Sequence, residues 1–174
     1  MASYYYLMSS LPMLRADGEM PFHYDEFLEK CRFSLKESRY RLLKELTLSS
    51  SEGPLLSEWS KFYGVLENEL IYQRRQRLGQ ACTAPADRDA DAVRIVTTVM
   101  NENNPLEAEK MLLELEFEKL DALVNMHYFD DAALVGYALK LKLMERRTVF
   151  DARRGKAEFN RVVDHLQQQI LSMG

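Results

Sequence analysis

Glycine and proline are scarce, at 7 and 5 among 174 residues. Sandwiches and barrels need both at their many turns, so the shortage argues against an all-β fold. The glycines are also scattered, at positions 18, 53, 64, 79, 136, 155 and 174. No two share a phosphate-cradling turn, which argues against ATP binding by a P-loop. Cysteine is limited to Cys31 and Cys82, with no CxxC and no zinc-ligand spacing. A helical core of this size needs no disulfide staple, so both read as free thiols in a reducing compartment. Cationic excess is missing as well. There are 27 acids against 23 Lys plus Arg, a net charge of -4, and no aromatic residues are interleaved among the basic clusters. Nucleic acid is therefore not an expected partner. No Lys or Arg precedes the apolar start, so a signal peptide is not expected. No run approaches the ~20 apolar residues of a membrane span. Any membrane association is expected to be indirect, through partners.

Catalytic and metal signatures are equally thin. No G-x-S-x-G occurs. Di-iron bundles need Glu-x-x-His, but the residues three before His23, His127 and His165 are Met20, Val124 and Val162. Asp87, Asp89 and Asp91 resemble the opening of a calcium loop. The Gly and Glu such a loop then needs are replaced by Ala92 and Thr98, so these acids read as helix-capping residues. No catalytic residue, cofactor-binding residue or metal ligand is assigned, and an enzyme is not the expected class.

What is present is apolar periodicity. Hydrophobic residues make up 47%, enough for a packed core. Phe27, Leu28 and Cys31 share a face with Tyr24. Ser34 to Glu37 has the pattern of a capping box before a helix carrying Tyr40, Leu43 and Leu46. A Ser-rich loop ending in Gly53-Pro54 precedes a long helix with the stripe Trp59, Phe62, Tyr63, Leu66 and Leu70, closed by Gly79. Asn104-Pro105 reads as cap and first turn of a helix bearing Leu106, Leu113, Phe117, Leu120 and Val124. Asp130 or Asp131 is expected to cap a helix running to about Arg153, with apolar residues on two faces. A last stripe joins Phe159, Val162, Val163, Leu166, Ile170 and Met173. The fold class is all-α: one domain over 1–174, a bundle of about six or seven helices, with 80–86 the best place for a sub-division. The N-terminal segment from Tyr4 is short, and its three tyrosines tilt it toward an extended strand.

Two features are candidates for partner binding. Arg74, Arg75 and Arg77 form the strongest local charge cluster, with Arg146 and Arg147 adding basic character later. Stabilising a helix end is their simpler role, and meeting an acidic partner surface is the alternative. Tyr4, Tyr5 and Tyr6 are either core or an exposed docking patch, with core favoured. His127 reads as a corner histidine between helices.

The opening Tyr4-Tyr5-Tyr6-Leu7 with Ser10-Leu11-Pro12, the later Phe27-Leu28 with Cys31, and above all Tyr137 to Lys142 with Glu145-Arg146-Arg147, Phe150-Asp151 and Gly155 carry a resemblance. They resemble a family of uncharacterised bacterial proteins encoded among V-type ATPase subunit genes. The resemblance implies a role like that of the d-type subunit of the V-type ATPase, an all-helical socket coupling the central stalk to the membrane ring. The d-type subunit has no catalytic residues to carry over, and it is longer, with three helical lobes. An accessory or reduced equivalent is thus implied, cytoplasmic and peripheral at the inner face of the membrane, with V-type ATPase subunits of the central stalk or membrane ring as partners. The alternatives are a general helical adaptor and an enzyme with an interhelical pocket.

Overall fold

The computed structural model describes residues 4–148. Among these the protein forms seven helices and no strand: α1 (Tyr5–Ser10), α2 (Tyr24–Arg32), α3 (Glu37–Glu45), α4 (Pro54–Arg77), α5 (Ala90–Asn101), α6 (Pro105–Val124) and α7 (Asp131–Thr148). The all-α expectation holds. The extension of the last helix past 148 and the stripe from Phe159 to Met173 lie outside the described residues.

The helix ends follow local chemistry. Asp89 accepts from the Ala92 amide at 3.0 Å, Asn104 from the Leu106 amide at 3.1 Å, and Asp130 from the Ala133 amide at 3.0 Å. Each satisfies a donor that the first turn leaves free. α4 closes on Gly79, whose φ of +66 is left-handed. There the Gln80 amide reaches the Arg75 carbonyl and the Gly79 amide reaches the Gln76 carbonyl, both at 3.0 Å. This is the paired closure that a C-terminal glycine permits.

Two expectations are corrected. The tyrosine-rich start is a helix, not a strand. No strand exists among the described residues to pair with it, while Leu7 and Tyr4 are buried and the Met8 amide closes a turn on the Tyr4 carbonyl at 2.8 Å. Tertiary burial overrides β-propensity here. The capping box at Ser34 is also absent. The Ser34 and Leu35 amides both fold back on the Cys31 carbonyl, and α3 starts after an extended Lys36 that makes no side-chain cap.

The main core joins α1, α2, α3, the first half of α4, α6 and α7 around Phe27, Trp59, Leu113, Leu120, Leu139 and Leu141. A smaller cluster joins Leu66, Val96, Val99 and Leu112. The two clusters share α4 and α6, and α5 packs back against α4 after the 80–86 loop. The expected two-faced burial of α7 is present: Leu134, Ala138, Leu139, Leu141, Leu143 and Met144 are all buried.

Candidate interaction surfaces

The five candidate arginines have different surroundings. Arg77 donates to the Met100 carbonyl and, at 2.6 Å, to Asn101 Oδ1, tying the end of α4 to the end of α5. Arg147 donates to the carbonyls of Ala16 and Gly18 at 2.7 and 2.6 Å, holding the segment between α1 and α2. Arg146 points inward. Its guanidinium forks onto Glu116 at 2.8 and 2.7 Å and also meets Glu109 at 2.9 Å. These three are structural ties within the chain. Arg74 and Arg75 are exposed and make no ion pair among the described residues.

The tyrosines divide. Tyr4 is buried. Its hydroxyl donates to Asp131 Oδ1 at 2.7 Å, and its amide donates to the Phe129 carbonyl. Burial and the adjacent Asp131 carboxylate push the Tyr4 hydroxyl up to about 12, so it stays a donor. That anchor sets α1 against the corner between α6 and α7. Tyr5 and Tyr6 face outward, 51% and 87% exposed. Tyr5 lies 4.8 Å from the Phe129 ring and 5.6 Å from the Tyr6 ring, centroid to centroid. Met126 and Tyr128, on the same corner, are also exposed, Met126 held in a left-handed conformation at φ 72.

Beside this corner a groove of about 490 Å³ runs between α3, the start of α4 and the α6–α7 corner. Its walls include Leu42, Leu55, Leu123 and Val135, with His127, Arg39 and Asp131 among the polar lining residues. Those polar groups are bonded within the chain. Arg39 pairs with Asp131 at 2.6 Å, and His127 Nδ1 shares a hydrogen bond with Asp130 Oδ2 at 2.5 Å. Burial pushes the Asp130 carboxyl up, but the Ala133 amide and His127 outweigh it and hold the group below its ordinary value. Much of the groove wall is aliphatic, and Arg39, Asp131 and His127 are each bonded within the chain. His165 lies outside the described residues. Burial pushes the Cys31 thiol up to about 12, far from a reactive thiolate. Among the described residues no three His, Cys, Asp or Glu side chains converge as a metal-holding group. None of the described helices is long and apolar enough to cross a membrane.

Sequence reasoning missed three buried acids. Besides Glu109 and Glu116, Glu69 is buried and accepts two bonds from Arg88, both 2.8 Å, and one from Gln73. The signal was available. Glu109 and Glu116 fall at helical spacing with Leu113 and Leu120, inside the core stripe of α6. An acid at a core position requires a buried cation.

Residues 90–170 match the model of a family described as "Protein of unknown function (DUF2764)". No curated protein and no solved structure matches the chain. The DUF2764 stretch takes in α5, α6 and α7. It includes Arg146 with its two acids and the exposed corner at Met126, Tyr128 and Phe129, but neither α4 nor the tyrosine helix.

Proposed function

We propose that this chain is a non-catalytic helical interaction protein, an accessory factor or structural component of a V-type ATPase or ATP synthase, with a coupling or assembly role like that of the d-type subunit. The observation that carries the interaction role is the aromatic corner of Tyr5, Tyr6 and Phe129, flanked by Tyr128 and Met126. Exposed aromatic groups anchored on a packed frame are the usual energetic centre of a protein interface. Here the frame is supplied by Tyr4, which is hydrogen-bonded at both its backbone and its hydroxyl. The choice of complex is supported by the resemblance carried by Tyr137 to Lys142 and Glu145 to Arg147. Its partners are then stalk or membrane-ring proteins of the ATPase, reached from the cytoplasmic side.

The test is a tagged full chain recovered from its native host, with everything retained identified by mass spectrometry. ATPase stalk or ring proteins are expected. Tyr6→Ser should lower their retention by roughly tenfold, the effect of losing one aromatic anchor, without changing the thermal midpoint. A deletion strain that assembles the complete complex and keeps proton-coupled ATP hydrolysis would overturn the ATPase assignment. Retention of an unrelated stable complex would replace it with a general adaptor.

A further inference from the structure

We infer that the outer face of the second half of α4, formed by Ile71, Arg74, Arg75 and Leu78, is a docking site for an acidic amphipathic helix of a partner protein. This rests on the reading of the chain as an interaction protein and adds the surface and the chemistry of what it takes. The four residues are spaced i, i+3, i+4, i+7, which puts them on one side of a helix. Ile71 is 47% and Leu78 72% exposed, so two aliphatic side chains stand in solvent with the two arginines between them. Beside them a cleft of about 310 Å³ opens between Ile71, Tyr72 and Arg75 on the helix and Cys82 and Pro85 on the following loop.

The arginines are not needed to finish the helix. The carbonyls of Arg74, Arg75 and Gln76 already accept from Leu78, Gln80 and Gly79, and Arg77 ties the end of α4 to α5. Nor do they serve the buried acid of this helix. Glu69 faces the other way, onto Arg88 and Gln73. Glu67 lies one turn before Ile71 and Asp87 on the cleft wall, and neither forms an ion pair with Arg74 or Arg75. Two aliphatic side chains flanked by two cations that make no ion pair among the described residues are complementary to a helix with an apolar stripe edged by Asp or Glu.

The chain's own C-terminal stretch is a poor match. Residues 149–174 hold four cations (Arg153, Arg154, Lys156, Arg161) against three acids (Asp151, Glu158, Asp164). A second copy has exposed acids at Asp25, Glu26 and Glu29. Joining those to α4 would be a head-to-tail contact, which propagates unless the rotation closes it.

The test places a photo-cross-linking amino acid at position 71 or 78 of the tagged full chain in its native host and maps the joined peptides. Both positions should capture one segment of another protein, rich in Asp and Glu, with apolar residues at helical spacing. Arg74→Gln with Arg75→Gln should lower the yield roughly tenfold, as should high salt. The inference is overturned by capture of a segment without acids, of residues 149–174, or of a second copy, and equally by no capture from either position. The identity of the captured protein separately decides the proposed function. An acidic helix from outside the ATPase would keep this face and remove the ATPase role. Retained stalk proteins without capture at 71 or 78 would do the reverse.

Discussion

Arg146 serves two buried carboxylates, so the cluster with Glu109 and Glu116 has one cation for two acids. Burial raises the Glu116 carboxyl. Arg146 pulls it back down, but the neighbouring Glu109 and Glu67 add to the rise, and the net shift is upward from 4.5. Arg146 itself is held more firmly protonated by the two acids, despite its burial. Removing the guanidinium leaves two largely buried acids without their cation. Arg146→Met is therefore expected to destabilise the protein by about 3–5 kcal/mol in urea unfolding at neutral pH. A cost under about 1 kcal/mol would mean that water reaches the cluster. The pH dependence has a definite sign. Because the folded pKa of Glu116 lies above the unfolded one, the folded state binds more protons between the two values. The Glu116 contribution to stability therefore falls as pH rises above 4.5 and through the folded pKa. Glu69 behaves oppositely. The Arg88 bonds lower its pKa, so its contribution is present above 4.5 and fades as pH falls. Glu116→Gln removes the first slope and leaves the second. The stability of Glu116→Gln relative to wild type should increase from pH 4.5 up through the folded pKa of Glu116 and level off above it, measured by urea unfolding at a series of pH values. A difference that is flat with pH would place the titration elsewhere.

The elements show which information is local enough to be legible in a sequence. The caps at Asp89, Asn104 and Asp130, and the closing Gly79, were readable because each bonds within a few residues of itself. The long stripes of α4, α6 and α7 were readable because burial on one side repeats with the helix. The strand expected at Tyr4 failed because its deciding interactions, with Phe129 and Asp131, come from more than a hundred residues away. The inward role of Arg146 was hidden for the same reason, since its acids lie 30 and 37 positions earlier on another helix. The aromatic corner was half legible: three tyrosines stood out, but nothing nearby says that Tyr4 turns in and Tyr6 turns out. Gly136 shows the same limit at the level of helix packing. In the middle of α7 a glycine costs about 1 kcal/mol against alanine, so a reading from propensity alone replaces it. In the fold it is buried, and a Cβ there would run into Val124 Cγ2 near the end of α6. Gly136→Ala is expected to destabilise by about 1–3 kcal/mol through this overlap. Combining it with Val124→Ala should recover most of that loss, a coupling that a double-mutant cycle in urea reads directly. Independent, additive effects would mean that α6 and α7 are not held apart by this contact.

At the scale of the whole molecule the question is whether two cores make one folding unit. The 80–86 loop looks like a boundary in the sequence, yet the helices on either side of it pack on each other and the second cluster draws on α4, α5 and α6. α4 contributes Leu56, Trp59 and Tyr63 to the main core and Leu66 to the smaller one, and α6 contributes Leu113 and Leu112 in the same way. A continuous helix cannot easily lose one half of its packing and keep the other. Once Leu66 is uncovered, the turns beside Tyr63 lose their neighbours as well. The single tryptophan, Trp59, is fully buried in the main core and so reports on that region alone. Val96 is fully buried in the other cluster, on α5. Val96→Ala removes apolar volume from the smaller core, at an expected cost of roughly 2 kcal/mol. If the described helices unfold as one unit, the Trp59 fluorescence midpoint in urea must move down together with the helical circular dichroism signal. A Trp59 midpoint left in place while part of the helical signal melts early would show that α5 opens on its own. Because the α4 docking face lies beside the α5 attachment, that outcome would also make the Ile71 to Leu78 surface sensitive to Val96→Ala. In a cooperative molecule the surface keeps its geometry until global unfolding. Partner capture at positions 71 and 78 should then be the same for wild type and Val96→Ala at any temperature where Trp59 is still buried.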